Sequence, residues 1–430
     1  MSTTSSSDDD GHANHPLGVV TGSATDATKL EHVADLFVRE EFETKIQAPS
    51  GPRPYNAIVV GCGAMGSATL YHLARRGWRV LGIEQLTPGN AIGSSHGDSR
   101  IIREMYFEHP LYVPLVQRAY DLWRELEASA GARLMTINGG LMIGPFDGAI
   151  VNGTLRSAHE HNLEHEILTA EQTRVRYPAF DLSDDLVAVV DQRAGYLDPE
   201  ACIEAHMSLA RAAGADVRLS ETVLKWEPDG EGVRVTTSAG AYVADRLVIA
   251  GGAWNNDLLR DLDLSLQVER QVVFWLDPDG DPSMYESDRF PIYAYEYKPG
   301  HICYGFPRLA RGVKSSVMHS GEISSTPDEV RRSVDASDVE PLRAALRPLL
   351  PELSRARVLE STTCLFTNTS DHDFLIDFHP VYRQVLISSA CSGHGFKFSS
   401  AIGELQADLL IDGVTRFDIS PFRYDRYERP

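Results

Sequence analysis

The sequence predicts a mixed α/β protein built around two sheets of different kinds. A buried strand, a glycine-rich turn and a helix follow one another from residue 55, and a second strand then completes a β-α-β unit. Residues 265–320 instead alternate polar and apolar side chains in short runs such as VVFWL and IYAYEY. That alternation is typical of a half-buried antiparallel sheet, so we expect one largely parallel and one largely antiparallel layer.

Length and composition set the class of the molecule. The chain has 430 residues, of which 43% are hydrophobic and 23% charged, as in an ordinary folded protein of two or three domains. A net charge of −21 argues against nonspecific binding of nucleic acid, which needs a basic surface. No apolar run approaches the roughly 18 residues of a membrane span, and no basic-then-apolar leader is visible, so we expect a cytoplasmic protein.

The cysteines exclude two further classes. The five cysteines are scattered and contain no CxxC pair. This spacing argues against a disulfide framework and against a structural zinc site, so no metal is expected. A reduced protein, monomeric or a small homo-oligomer, is the simplest interpretation.

An N-terminal extension precedes the β-α-β unit. Residues 1–28 are rich in Ser, Thr, Asp, Gly and His, a composition that predicts disorder. Residues 28–46 have apolar side chains at helical spacing, and APSGPRP at 48–54 ends that predicted helix. Residues 1–54 are therefore either a solvated tail or a segment that docks or mediates association.

The remaining elements follow in order along the chain. Helical spacing of apolar residues predicts helices over 111–128, 199–213 and 338–350. Short β-branched runs predict strands at DVRLS (216–220), GVRVTTS (232–238) and RLVIAGG (246–252). Residues 384–413 read as a strand, a glycine-rich loop and a helix, which repeats the logic of the opening unit.

The glycine-rich turn of the opening unit predicts nucleotide binding. Gly61, Gly63 and Gly66 form a G-x-G-x-x-G between strand and helix, and Glu84 ends the second strand. The first glycine permits the tight turn, the second lets the backbone approach a pyrophosphate, and the third lets helix and strand pack closely. The carboxylate suits ribose hydroxyls and argues against a 2′-phosphate. The motif alone does not separate FAD from NAD.

Four segments carry a family resemblance: IVVGCGAMGSATLYHLARRG with GSSHGDSRIIREMY, then GGAWNNDLL, CLFTNTSDHDFLIDFHP and SGHGFKFSS. They resemble the monomeric sarcosine oxidase and N-methyltryptophan oxidase group of the D-amino-acid-oxidase-like flavoproteins, over residues 55–425. The resemblance implies a discontinuous Rossmann-like FAD-binding domain and a second, antiparallel-sheet substrate domain. The expected FAD-binding domain covers 55–140, 196–262 and 356–425, and the expected substrate domain covers 141–195 and 263–355.

The resemblance also implies which residues surround the cofactor. FAD is expected to be attached covalently by a thioether to Cys364, whereas Cys391 is expected only to pack. The cofactor-binding residues expected from motif and family together are Gly61, Gly63, Ala64, Met65, Gly66, Glu84, Gln85, Ser94, Ser95, Ser99, Arg100, Val223, Gly251, Cys364, Gly393, His394, Gly395, Phe396 and Lys397.

Substrate and oxygen positions follow from the same resemblance. Arg103 and Lys397 are expected to bind a substrate carboxylate, as Arg side chains do bidentately. Arg100 and Arg103 would point near one another if their segment began a helical turn. Lys314 and Arg100 are expected beside the flavin, where a positive charge favours reaction with oxygen.

Two pocket positions bear on substrate size. Tyr304 matches a pocket tyrosine of the family and is expected to be catalytic. Phe366, expected to contact the substrate, stands where sarcosine oxidase has a tyrosine, which makes the site more apolar. His319 follows Lys314 by five residues where the family pattern has four, so its role stays open.

The expected activity is oxidation of a secondary or N-methylated amino acid to an imine, with O₂ reduced to H₂O₂. Three alternatives remain at this point. One is a flavin dehydrogenase or a desaturating oxidase of a cyclic imino acid such as pipecolate or proline. The others are an NAD-dependent dehydrogenase and an inactive interaction protein that retains flavin.

Overall fold

The computed structural model describes residues 54–262 and 264–427. The predicted tail and helix of the N-terminal extension lie outside these residues. The helices of the described part, in chain order, are α1 (Ala64–Arg75), α2 (Val113–Ala130), α3 (Ala149–Glu160), α4 (Ala170–Arg176), α5 (Pro199–Ala212), α6 (Asn255–Leu258), α7 (Ala336–Leu346), α8 (Pro351–Arg355) and α9 (Ser399–Asp412).

The strands of the same part, again in chain order, are β1 (Tyr55–Val60), β2 (Val80–Glu84), β3 (Arg100–Ile102), β4 (Met135–Ile137), β5 (Gly140–Pro145), β6 (Glu166–Thr169), β7 (Leu186–Asp191), β8 (Gly195–Leu197), β9 (Asp216–Leu219), β10 (Val223–Asp229), β11 (Gly232–Thr237), β12 (Ala241–Ile249), β13 (Gln267–Asp277), β14 (Ile292–Lys298), β15 (His301–Leu309), β16 (Gly312–Val317), β17 (Ile323–Ser324), β18 (Arg357–Asn368), β19 (Leu375–Phe378) and β20 (Val385–Ser389).

The first sheet contains the β-α-β unit that the opening motif predicts. Its strands run in the order β10-β11-β12-β1-β2-β9, and β20 pairs with β12 on one side and β19 on the other. The pairs of β1 with β2, β1 with β12, β2 with β9 and β12 with β20 are all parallel. The near-continuous apolar runs of β1 and β2 follow from this position, because a strand inside a parallel sheet is covered on both faces.

Helices cover that sheet closely. α1 packs against both α5 and α9. The contact with α9 depends on Gly403, because a Cβ built there would lie 2.5 Å from the carbonyl carbon of Ala68. The predicted β-α-β unit and the final strand-loop-helix unit therefore meet through small residues.

The second sheet is largely antiparallel, as predicted from residues 265–320, except that β5 and β14 pair in parallel. Its strands run in the order β17-β13-β16-β15-β14-β5-β7-β6, and β18 pairs with β13. In the cross-strand register, Gln271 lies opposite Cys364, and Trp275 lies opposite Lys314. Because successive side chains of a strand point to opposite faces, these four side chains share one face of the sheet.

The other face of the second sheet forms a separate hydrophobic core. This core includes Phe274, Leu276, Val313 and Val317. Each lies an odd number of positions along its strand from Trp275 or Lys314, so its side chain points to the opposite face. Leu342 of α7 packs into the same core. The alternation that the sequence shows thus separates a core face from a face that is available for a site.

The predicted helices are found with small shifts of their ends. α2 begins at Val113 after a 3₁₀ turn, so Pro114 occupies its first turn, where a missing N–H costs nothing. The helical turn that would point Arg100 and Arg103 near one another does not form. Arg100–Ile102 is a short strand that pairs with β8, and successive side chains there alternate in direction. None of the described helices is long and apolar enough to cross a membrane.

Candidate functional site

One cavity of about 640 Å³ collects almost all the residues singled out from the sequence. It reaches the carboxyl ends of β1 and β2, the loop before β3, the free face of the second sheet and the glycine-rich segment before α9. Every expected cofactor, substrate and catalytic residue lines it except Gly66. His319, whose role was open, does not line it.

The dinucleotide motif forms a turn that only glycine fits. Gly61 has φ +85°, and a Cβ there would lie 2.4 Å from the carbonyl oxygen of Ala250. A Cβ at Gly66 would lie 1.7 Å from the carbonyl oxygen of Gly61, so this glycine acts behind the cavity wall by close packing. At Gly63 the nearest described atom would be 4.0 Å away, which leaves the backbone open to the cavity. The three glycines therefore have the geometry that their three expected roles require.

The amino end of α1 and the end of β2 complete this part of the cavity. Gly63 precedes α1 without a side-chain hydrogen bond to the first turn, so free N–H groups there suit a phosphate. Glu84 accepts hydrogen bonds from the backbone N–H groups of Cys62 (2.8 Å) and Leu86 (2.9 Å), which fix its carboxylate at the cavity. This cradle fits the pyrophosphate and ribose of an adenine dinucleotide.

Cys364 differs from the other buried thiols of the cavity and its surroundings. Its Sγ lies 3.4 Å from Arg100 Nη2 and 3.4 Å from the carbonyl oxygen of Ser94. Arg100 is held there by its own hydrogen bond to Ser94 O at 2.8 Å. Burial raises the pKa of Cys303 and of Cys391 to about 12, so these thiols stay protonated. A guanidinium in contact with sulfur is the environment in which a cysteine becomes reactive.

Arg103 is a buried cation with a partner that sequence reasoning missed. Its side chain is only 4% exposed, and Nη2 lies 2.6 and 2.5 Å from the two carboxylate oxygens of Glu108. The guanidinium also stacks on the rings of Tyr106 (4.1 Å) and Phe107 (3.9 Å). Burial alone would raise the pKa of Glu108, but Arg103 beside it brings that pKa below its usual value. Glu108 lies five residues after Arg103 outside any helix, so no periodic pattern marks the pair.

Lys397 is the second buried cation of the same region. It is 5% exposed, and Nζ donates a hydrogen bond to the carbonyl oxygen of His394 at 2.7 Å. Burial, with Arg103 as a like charge, lowers the pKa of Lys397 to about 7. His394 shares a 2.5 Å hydrogen bond with Tyr106 OH, so Tyr106 links the surroundings of both cations. Two desolvated cations lining one cavity suit a carboxylate ligand.

Lys314 reaches the cavity from the second sheet. Its Nζ donates hydrogen bonds to the carbonyl oxygens of Gly97 (2.6 Å) and Ser99 (2.8 Å) and contacts Ser99 Oγ at 3.2 Å. The side chain is 1% exposed. Burial and the neighbouring Arg100 lower the pKa of Lys314 well below its ordinary value.

The remaining wall is mostly apolar. Ala294, Ile302, Met318 and Phe366 line it together with Tyr304. Burial raises the pKa of Tyr304 to about 12, so its phenol stays neutral. With a phenylalanine and a methionine among these positions, the wall suits alkyl or ring surfaces.

His319 lies just beyond β16, outside the cavity lining. β16 ends at Val317, Met318 lines the cavity, and His319 adopts φ +50°. The His319 Nδ1 atom lies 2.9 Å from a carboxylate oxygen of Glu269. The same carboxylate accepts a hydrogen bond of 2.8 Å from Gln271 Nε2, which leaves Gln271 Oε1 without a partner among the described residues. Gln271 lines the cavity, but because it directly follows Glu269 and Arg270, no pattern in the sequence singles it out.

Comparisons with known proteins agree with this geometry. A family model described as FAD dependent oxidoreductase matches residues 56–409. Monomeric sarcosine oxidase of Streptomyces avermitilis is 40% identical over 372 residues, which is 86% of this chain and 96% of that protein. N-methyl-L-tryptophan oxidase of Salmonella agona is 33% identical over 376 residues, covering 87% of this chain and 100% of that protein.

Solved structures support the same relation. The structure of NikD, described as an unusual amino acid oxidase essential for nikkomycin biosynthesis, matches with a TM-score of 0.75 and 28% identity. That match covers 86% of this chain and 98% of the other. The glycine cradle, the sheet order and these matches lead to one conclusion: the chain belongs to the FAD dependent oxidoreductase family and is an FAD-dependent oxidoreductase.

Proposed function

We propose that this protein is an oxidase of a secondary or N-methylated amino acid, with imine and H₂O₂ as products. The observation that carries the proposal is that Arg103 and Lys397, both buried, line the same cavity as the glycine cradle and Lys314. A carboxylate held by two cations places the adjacent C–N bond inside the cavity. The names of the sarcosine and N-methyltryptophan oxidases, and their identity to this chain, support the same substrate class.

Substrate binding rests on the two cations. The substrate carboxylate competes with Glu108 for Arg103 and gains a second contact from Lys397. Because both cations are desolvated, each contact is worth more than it would be in water. The amine enters neutral, so no side chain needs to act as a general base, and the protein contributes orientation.

The redox chemistry belongs to the cofactor. Bound FAD would take two electrons and two protons overall from the CH–NH unit and pass them to O₂, which leaves as H₂O₂. The chain's own part is electrostatic. Arg100 places positive charge at the cavity where negative charge develops on reduction. That negative charge would favour the protonated form of the buried Lys314, while neutral Tyr304 lines the substrate side.

We further propose that Cys364 forms the covalent bond to FAD. The sulfur–carbon bond would replace the thiol S–H and one flavin C–H, and the two electrons and two protons released would pass to O₂. The Arg100 contact at 3.4 Å supports this assignment, because it places a positive charge beside that sulfur. The test is acid precipitation followed by absorbance of pellet and supernatant. Wild-type protein should keep its yellow colour in the pellet, whereas Cys364→Ser should release it. Cys391→Ser is the matched control, and colour lost from the Cys391→Ser pellet instead would refute this attachment site.

The domain boundaries expected from the sequence stand as part of the same proposal. In that division, residues 141–195 and 263–355 form the substrate domain, which would contain Tyr304, Lys314 and the strands around them. A cytoplasmic, small-molecule enzyme without nucleic-acid partners is consistent with the net charge of −21.

The apolar wall of the cavity narrows the class of substrate that we propose. Phe366, Met318 and Ile302 offer no hydrogen bond to a small polar substrate, so we propose an amino acid larger than sarcosine or a cyclic one. One methylene changes discrimination by only about 1–3 kcal/mol in an apolar pocket, so several substrates should react at different rates.

The deciding experiment is a substrate panel scored by peroxide release. The panel should include sarcosine, N-methyl amino acids with larger side chains, pipecolate and proline, each with oxygen consumption measured in parallel. Larger or cyclic amino acids should exceed sarcosine in kcat/KM. Flavin reduction without oxygen uptake would identify a dehydrogenase, and no reduction by any member would refute the proposed substrate class.

A further inference from the structure

The backbone that receives Lys314 lies in a strained loop. Gly97 has φ +97° and Asp98 has φ +66°, a conformation that few residues with a side chain adopt. The carbonyl oxygens of Gly97 and Ser99 flank this turn and are the ones that accept hydrogen bonds from Lys314 Nζ. The position of the Lys314 amine therefore depends on what keeps this loop in place.

Arg311, in the turn between β15 and β16, binds the loop from one side. The Arg311 guanidinium lies 3.6 Å from the ring centroid of Trp275, and its Nη1 lies 3.1 Å from Asp98 Oδ1. Nε donates a second hydrogen bond, of 2.7 Å, to Glu360 on β18. Trp275 is paired with Lys314 across the strands, so the stacked guanidinium is anchored directly beside the lysine. Arg311 thus joins the loop to β18 and to β13, which is next to the strand that carries Lys314.

The other side of the loop is held independently. Glu200, in the first turn of α5, accepts hydrogen bonds from the backbone N–H of Gly97 at 2.5 Å and of Asp98 at 3.3 Å. These contacts fix the amides, whereas the Arg311 contact fixes the Asp98 side chain. Removing Arg311 should therefore displace the carbonyl oxygens without releasing the whole loop.

We propose that the Arg311–Asp98 bridge positions Lys314 for the reaction of the reduced enzyme with oxygen. The proposal rests on the proposed oxidase function and on the role given there to Lys314. Arg311 itself does not line the cavity, so it acts through Asp98 and the loop carbonyls. It follows that the bridge affects the oxidative half of the reaction and leaves the reductive half, which uses Arg103 and Lys397, unchanged.

The test compares the two half-reactions by stopped-flow absorbance of the holoenzyme. Arg311→Ala should slow flavin reoxidation by O₂ about tenfold, since small misplacements of a catalytic group cost up to about 100-fold. Reduction by substrate without oxygen should stay within about twofold. Arg311→Lys, which keeps the charge, should recover part of the rate. Asp98→Asn tolerates the same backbone conformation and should slow reoxidation similarly, and the double variant should add little.

Two controls separate the possible failures. Arg357→Ala removes an exposed arginine paired with Asp277 on the same two strands and should change neither half-reaction. Lys314→Met should slow reoxidation at least as much as Arg311→Ala. If Lys314→Met reoxidises at the wild-type rate, the role of Lys314 in the proposed function is wrong. If Lys314→Met is slow but Arg311→Ala is not, or if Arg311→Ala slows both halves equally, the bridge proposal is overturned.

Discussion

Lys397 shows, at the scale of one residue, how burial couples the charge of a side chain to the binding of a carboxylate. Its pKa of about 7 means that it carries its charge below that pH and loses it as the pH rises. Burial is the main cause, and Arg103 adds repulsion. An anionic ligand stabilises the protonated form, so ligand binding and protonation favour each other.

This coupling predicts a pH-dependent affinity for simple carboxylates. The Kd of an amine-free aliphatic carboxylate, followed by the flavin absorbance change, should be lowest below about pH 7 and should rise above it. An amine-free probe is needed because the substrate's own amine titrates in the opposite sense. Lys397→Gln should bind more weakly at low pH and show a nearly flat profile. An unchanged slope in that variant would refute the assignment.

Individual residues also show what a sequence does and does not reveal. Cys364, Arg103 and Lys397 are singled out by the family resemblance, because each stands in a long motif. Glu108 and Arg311 were not, because each acts through a contact that no local pattern encodes. Arg residues three apart would face the same way on a helical turn, but pairing with β8, which no local pattern encodes, holds the Arg100 segment extended.

At the scale of elements, the first β-α-β unit depends on one close approach. Gly66→Ala places a Cβ 1.7 Å from the Gly61 carbonyl oxygen, in backbone that has no room to move. The turn that faces the pyrophosphate must shift, so purified Gly66→Ala should contain little or no flavin by absorbance. Gly240→Ala is the matched control, because no described atom lies within 4 Å of a Cβ there. Full flavin content in Gly66→Ala would contradict the packing role.

A charge pair between two helices gives a stability prediction. Glu404 of α9 binds Arg118 of α2 through both oxygens, at 2.9 and 2.7 Å. Burial alone would raise the pKa of Glu404, but Arg118 and Arg416 lower it to about 2. Because the folded pKa lies below the ordinary 4.5, this stabilisation is present above pH 4.5 and is lost as the pH falls toward about 2.

Replacing the Glu404 carboxylate tests the direction of this pH dependence of stability. Glu404→Gln should lower the free energy of unfolding at pH 7 by about 1–3 kcal/mol, measured by urea denaturation, with the deficit shrinking below pH 4.5. Glu340→Gln, whose exposed carboxylate lies 3.9 Å from Arg343, should have little effect. A deficit that grows in acid would show that the pair does not lower the pKa of Glu404.

The elements themselves were the most predictable part. The opening unit, α2, α5, α7 and the antiparallel region all follow from periodicity and breaker residues, with ends displaced by a few residues. Strand order was not predictable from periodicity, since β5, β6 and β7 join the antiparallel sheet through pairings between distant segments.

At the scale of the whole molecule, two sheets close around the cofactor cavity. A ligand that binds only the folded chain stabilises it by mass action, by about 2.7 kcal/mol when its free concentration is 100 times Kd. With Cys364→Ser, which should make FAD exchangeable, the Tm should rise steadily with added FAD. The Gly66→Ala/Cys364→Ser double variant should show no such rise. A Tm independent of FAD in the single variant would mean that the cavity between the sheets does not hold the cofactor.

The alternation of side chains in the second sheet has a consequence for how such proteins diversify. Cavity residues such as Gln271 and Met318 occupy every other position, while Phe274 and Val317 on the reverse side maintain the hydrophobic core. Point changes on one side leave the other untouched, so new substrate preferences are accessible without loss of foldability. A single inserted or deleted residue would exchange the two faces of a strand. Related enzymes with different substrates should therefore differ by substitutions within these strands rather than by insertions or deletions.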